Sequence, residues 1–179
     1  MFTKNEQEKL LKLARDCIES RFTREPVIYP DDSSFKVQRG VFVTIHKNGD
    51  LRGCIGYIKG YKDLVPSIQE MAQSASFQDP RFPPLRREEL KDIKIEISVL
   101  SEMKIVPDVN EIIIGRDGLF ITHPQGSGLL LPQVPVEWNW DLMTFLKQIC
   151  CKAGLPPDAW KEPQSVLYRF TAEIFNESD

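Results

Sequence analysis

Residues 41–58 read Val41-Phe42-Val43-Thr44-Ile45-His46-Lys47-Asn48-Gly49-Asp50-Leu51-Arg52-Gly53-Cys54-Ile55-Gly56-Tyr57-Ile58, and their pattern decides the fold class. Val41 to Lys47 alternates as a strand. Asn48-Gly49 is a strong hairpin signal because both residues tolerate positive φ, and Leu51 to Ile58 returns antiparallel. A two-residue loop sets Lys47 opposite Asp50, His46 opposite Leu51 and Val43 opposite Cys54. Cys54 then shares a face with Arg52 and Val43, and His46 points the other way. A three-residue loop, Asn48-Gly49-Asp50, shifts every pairing by one and brings Thr44 and His46 to the face of Cys54. A dyad of Cys54 with His46 therefore hangs on a one-residue slip.

Outward from this hairpin, Leu10, Leu13, Ala14, Cys17 and Ile18 recur at helical spacing, which predicts an amphipathic helix over 3–20 capped by Thr3. Residues 24–40, with Pro26, Pro30 and Asp31-Asp32-Ser33-Ser34, read as a long loop. A second helix is expected over 64–77, capped by Asp63 and ended by Asp79-Pro80. Ile93, Ile95, Ile97 and Val99 alternate with Lys94, Glu96 and Ser98 as a half-buried strand. The short apolar runs at 112–114, 119–121 and 129–131 read as a β-meander. A third helix is expected over 140–153 with Asn139 as its cap and Gly154 at its end, and a last strand over 166–175. Short hairpin connections and irregularly segregated helices predict an α+β fold, a mainly antiparallel sheet with flanking helices.

The 179 residues, 41% hydrophobic and 27% charged, suit one soluble domain over 1–179 that buries roughly 70% of its unfolded surface without a staple. With 23 basic and 26 acidic residues the formal charge is −3, and no basic run offers a footprint for phosphate backbones, which argues against nucleic acid as partner. No apolar run is long enough to span a bilayer, and the charged start is unlike a secretory signal, so no membrane association and a cytoplasmic address are expected. Cys17, Cys54, Cys150 and Cys151 show no C-x-x-C spacing, and two are adjacent, which predicts reduced thiols. With only His46 and His123 to join them, no metal and no cofactor are expected.

Three stretches carry candidate chemistry. Glycine inside a strand marks a bulge or a close backbone approach, and Gly53 and Gly56 frame Cys54. As a nucleophile, Cys54 needs a cation to favour its thiolate, for which Arg52 is the candidate, and backbone amides beside Gly53 and Gly56 suit an oxyanion. Alternatively, Cys54 is a small core residue and the glycines relieve crowding between sheet and helix. In Asp79-Pro80-Arg81, proline holds Asp79 out of helical geometry and Arg81 can make a bidentate contact to a carboxylate of substrate, Asp79, Glu96 or Glu137, or simply clamp the turn. In the proline-stiffened segment after Leu131, Gln133 suits a binding wall. Glu137 is a candidate base if desolvated beside Trp138 or Trp140, or else part of the approach to the helix.

Leu51-Arg52-Gly53-Cys54-Ile55-Gly56, Asp79-Pro80-Arg81-Phe82-Pro83-Pro84-Leu85, and Gly128-Leu129-Leu130-Leu131-Pro132-Gln133-Val134 with Glu137 and Trp140-Asp141 resemble, in order, the three signatures of the AMMECR domain family. That resemblance covers nearly the whole chain. It implies a larger lobe and a smaller β-rich lobe, with a cleft near the first motif, and no established reaction. Microbial members of the family often sit beside genes for radical S-adenosylmethionine enzymes and Memo-like proteins, which implies a shared modification pathway. This chain lacks the cysteine spacing for an iron–sulfur cluster of its own, so radical chemistry would belong to a partner.

Two readings of function follow. One is a cleft around Cys54 that binds a small molecule or peptide group, with or without thiol chemistry. The other is a non-catalytic module for a protein partner. In either, Cys54, Arg52, Asp79, Arg81 and Glu137 are expected to converge.

Overall fold

The computed structural model describes residues 1–177. In chain order its elements are α1 (Lys4–Thr23), β1 (Val41–Lys47), β2 (Asp50–Tyr57), α2 (Leu64–Phe77), β3 (Ile93–Leu100), β4 (Lys104–Ile105), β5 (Gly118–His123), β6 (Gly126–Leu130), α3 (Val134–Glu137), α4 (Leu142–Lys152), β7 (Val166–Phe170) and β8 (Ala172–Asn176). The fold is α+β, with two four-stranded sheets in the orders β2-β1-β3-β8 and β4-β7-β5-β6. The described chain divides into two compact units, one of residues 1–99 with 173–177 and one of residues 100–172. No helix among the described residues is long and apolar enough to cross a membrane.

In the first unit α1 begins where its side chains satisfy the free amides of the first turn. Thr3 Oγ1 accepts from Glu6 N–H (3.4 Å), and Glu6 Oε2 accepts from Thr3 N–H (2.7 Å). Its stripe of Leu10, Leu13, Ala14, Cys17 and Ile18 is buried, together with Ile68, Met71, Ala72 and Ala75 of α2. Both helices cover the alternate apolar positions of the sheet: Val41, Val43 and Ile45 on β1, and Ile93, Ile95, Ile97 and Val99 on β3. The second helix falls where its sequence places it, although the Asp63 side chain makes no capping bond. The opposite sheet face carries the remaining side chains, and the candidate site lies there.

The second unit departs further from its sequence pattern. Residues 112–114 form no strand: Asp117 Oδ2 accepts from Ile113 N–H (2.9 Å) and Ile113 C=O accepts from Asp117 N–H (2.9 Å), closing a turn, so the meander reduces to the hairpin of β5 and β6. The expected strand over 166–175 is two strands in different sheets. Thr171 breaks it, because its backbone is taken by Ser101, whose N–H donates to Thr171 C=O (2.8 Å) and whose Oγ accepts from Thr171 N–H (2.9 Å). The third helix starts at Leu142, capped by Asp141 Oδ1 accepting from Thr144 N–H (2.7 Å), while Asn139 sits at φ 52° in a separate turn after α3. Phe145, Leu146, Ile149 and Cys150 of α4 pack on Leu119, Ile121, Leu130 and Leu167. The side chain of His123 is buried: Nδ1 accepts from Gln125 N–H (3.1 Å) and Nε2 lies 3.3 Å from Glu162 Oε2.

The α2–β2 contact rests on one missing side chain. A Cβ at Gly53 would stand 2.1 Å from the Ala75 carbonyl oxygen of α2. Gly53→Ala is therefore expected to destabilise the chain by about 1–3 kcal/mol through overpacking against rigid backbone, measured as a fall in the urea midpoint with an unchanged slope. An unchanged midpoint would show that α2 is free to retreat.

Candidate functional site

The hairpin combines both register possibilities. Its loop has two residues, Asn48 (φ 53°) and Gly49 (φ 90°), and pairs Lys47 with Asp50 and His46 with Leu51. Beyond the turn the pairs are Ile45 with Gly53 and Thr44 with Cys54, so Arg52 is an extra residue that forms a β-bulge. The expectation that Val43 faces Cys54 is thereby corrected, since the bulge shifts every later pair by one. Because β1 also pairs with β3, a transverse row Cys54–Thr44–Glu96 runs across three strands, flanked by the row Gly56–Phe42–Ser98 and by the pair His46–Lys94. The thiol's hydrogen-bond partner is Thr44, whose Oγ1 lies 3.2 Å from Cys54 Sγ.

β2 is an edge strand, and at Cys54 its outer backbone groups are satisfied by side chains. Asp79 Oδ2 accepts from Cys54 N–H (2.9 Å), and Arg81 Nη2 donates to Cys54 C=O (3.2 Å). Asp79 also takes the Arg81 guanidinium through Nε to Oδ1 (3.0 Å) and Nη2 to Oδ2 (2.8 Å), and Arg81 N–H (3.1 Å). Of the carboxylates considered for Arg81, the structure gives it Asp79. The Asp79 side chain is 2% exposed and that of Arg81 51%. Hydrogen bonds from Arg81 outweigh burial and hold the Asp79 carboxyl down at about 2.

Arg52 is taken up by Glu89, with Nε to Oε1 and Nη2 to Oε2 both at 3.1 Å, and Lys47 Nζ joins at 2.9 Å. This bidentate pairing holds the Glu89 carboxyl at about 2. Phe82 stands between the two systems, its ring centre 6.0 Å from the Arg52 guanidinium carbon and 5.5 Å from that of Arg81. Burial pushes the Cys54 thiol up, and its hydrogen bond with Thr44 and the charge of Arg81 only partly offset this. Cys54 is therefore a neutral thiol near pH 7 rather than a poised thiolate. The cation that acts on it is Arg81.

The strand glycines have steric partners: Gly53 faces α2, and a Cβ at Gly56 would stand 2.3 Å from the Phe42 ring. Gln133 and Glu137 belong to the second unit, where Gln133 precedes α3 and is partly buried while Glu137 is solvent-exposed at its end. Trp138 and Trp140 stack with ring centres 6.5 Å apart. Cys17 and Cys150 are buried and Cys151 is exposed. Sequence reasoning missed Glu89 and the burial of Ser98, which is 1% exposed. The alternation of β3 puts Ser98 on the polar face with Glu96, but nothing local marks its burial, and Glu89 sits in a charged run 37 residues from Arg52.

This chain belongs to the AMMECR1 family, whose model matches residues 11–175. It is 46% identical to a protein of Methanothermobacter thermautotrophicus, covering 98% of this chain and 96% of that one. Protein TK0174 of Thermococcus kodakarensis is 45% identical, over 95% of this chain and 89% of its own. The crystal structure of uncharacterized protein PH0010 from Pyrococcus horikoshii superposes with a TM-score of 0.89 at 40% identity, covering 96% of this chain and 91% of that one. None of these names carries an activity.

The Asp79 clamp sets a pH dependence. Its carboxyl titrates near 2 folded and near 3.8 unpaired, so its stabilisation is complete above the unfolded value and fades as pH falls through the folded one. Asp79→Asn should cost about 2 kcal/mol at pH 7, at 1.36 kcal/mol per pKa unit, with the difference from wild type shrinking between pH 4 and pH 2. Denaturant unfolding across that range checks it. A pH-independent difference would assign the loss to geometry instead of charge.

Proposed function

We propose that this chain is a binding protein whose site is the polar face of the first sheet around Cys54, and that it holds a small molecule or peptide group without forming a covalent bond to the thiol. The observation that carries this reading is the row Cys54–Thr44–Glu96 and its continuation into a cavity of about 670 Å³. That cavity is lined by Glu96 itself with His46 and Lys94 of the same face, and by Asn48, Lys91 and Asp92. Its size is in the range of ligand sites, and its walls offer hydrogen-bonding groups of both signs.

The neutral thiol favours binding over nucleophilic catalysis. Asp79 and Arg81, the acid and base of the second motif, are spent on the backbone of Cys54 and on each other. They position the residue, and neither is free to take a proton from the thiol. In a modification pathway of the kind the family's gene neighbours imply, such a chain would present a substrate or carrier while a partner enzyme performs the chemistry.

Iodoacetamide labelling followed by mass spectrometry tests this. At pH 7.5 the exposed Cys151 is expected to label well ahead of Cys54, and Cys54 labelling should accelerate as pH rises past 9. Rapid selective labelling of Cys54 at neutral pH, suppressed in Arg81→Ala, would replace the binding reading with thiol chemistry.

A further inference from the structure

In the second unit the two-residue strand β4 sets Lys104 directly opposite Arg169 of β7, and Arg169 in turn stands opposite Leu119 of β5. Like charges facing each other across a ladder cost stability, and Leu119, 0% exposed, makes one flank of this pair apolar. A third cation comes from the turn before β5. Arg116 Nη2 and Arg169 Nη1 both donate to Glu111 C=O, at 3.4 Å and 3.0 Å, so one oxygen gathers two guanidinium groups. Lys104, Arg116 and Arg169 line a cavity of about 520 Å³. Of the carboxylates beside them, Asp117 is 3% exposed and is taken by Arg116 and by Ile113 N–H, and Glu111 is taken by Arg169 Nη2 (3.0 Å). Lys104 makes no ion pair among the described residues, nor does Glu102, the exposed carboxylate of the cavity wall.

We propose that this cavity binds the phosphate group of a small molecule, with the Lys104 ammonium as its main contact and the guanidinium groups of Arg116 and Arg169 beside it. The site lies wholly within the second unit and is independent of the reading of the Cys54 face. Donors remain for such a ligand: Arg116 keeps its Nη1 hydrogens and Arg169 its Nε hydrogen outside the bonds just described, and Lys104 has three. Three cations supplied by three segments suit a tetrahedral ligand. A carboxylate has two oxygens in one plane and is served by a single arginine fork, as Asp117 is by Arg116, whereas a phosphate spreads its charge over several oxygens that separate donors share. Negative charge placed between Lys104 and Arg169 also offsets their repulsion, and Glu102 is the wall residue that opposes it.

Titration with inorganic phosphate at constant ionic strength, followed by ¹⁵N chemical shifts with sodium acetate as control, tests this on wild type, Lys104→Met and Glu102→Gln. Both side chains are exposed and unpaired, so neither substitution removes a bond that the fold uses. In wild type, phosphate is expected to shift the backbone amides of Lys104, Arg169 and Thr171 saturably. Its Kd is expected to weaken about 5- to 20-fold in Lys104→Met and to tighten about 2- to 5-fold in Glu102→Gln. Without phosphate, Lys104→Met is expected to hold Tm or raise it by up to about 3 °C, because the like-charge pair is gone. A fall in Tm would give Lys104 a structural partner and overturn the proposal. No saturable shift at these amides, or the same Kd in wild type and Lys104→Met, would overturn it as well. Acetate binding as tightly as phosphate would overturn the ligand class.

Discussion

The carboxylate of Asp79 does for the edge of β2 what a neighbouring strand would otherwise do. It accepts the outward N–H of Cys54, while Arg81, oriented by the same carboxylate, donates to the outward C=O of that residue. An unpaired strand edge is a liability, and a side-chain clamp closes it without adding a strand. Cys54 and Thr44 face each other across the ladder as a pair whose Cys54 backbone groups point away from β1, and the Asp79–Arg81 pair holds both of those groups. The bulge at Arg52 would otherwise leave the register free to slip toward the turn. Gly53 completes the arrangement from the other face by letting Ala75 of α2 approach the strand backbone.

This rigidity explains why the thiol is not primed. Activation needs charge aimed at sulfur, but the Arg81 guanidinium is committed to Asp79 and to the Cys54 carbonyl, and its long-range pull is smaller than the cost of burying a thiolate. Arg52, nearer in sequence, is diverted to Glu89. Two arginines and two carboxylates thus pair off as Arg81–Asp79 and Arg52–Glu89, with Phe82 between them, and the thiol is left a neutral hydrogen-bonding group next to Thr44.

Much of the first unit was legible because its elements obey local rules. The Thr3 cap, the apolar stripe of α1, α2 over 64–77 and the alternation of β3 each follow from residue type and spacing. The Cys54 face was legible only in part. Asn48-Gly49 announces the turn, but a bulge depends on how the extra residue is anchored, and that anchor is Glu89 in a distant segment. The second unit hid more: a strand pattern over 166–175 runs unbroken in sequence, yet Ser101 claims the Thr171 backbone and sends the two halves to different sheets. Periodicity reports which side of a strand is apolar and carries no record of which strand lies alongside it.

Three local departures from regular β-sheet structure meet on one sheet: a bulge near the turn end of a hairpin strand, two glycines three residues apart, and a buried hydroxyl without a hydrogen-bond partner among the described residues. Gly53 has a packing reason in α2, and Gly56 lies beneath Phe42, so the glycines are explained by the fold. The bulge sets both faces of β2: it turns Gly53 toward Ala75 of α2 and Ile55 and Tyr57 toward the core, and on the polar face it puts Thr44 in place of Val43 opposite Cys54. Ser98, one row away, keeps a buried hydroxyl without a hydrogen-bond partner among the described residues. A buried hydroxyl that costs stability is a local inconsistency of the kind that folding alone would not favour.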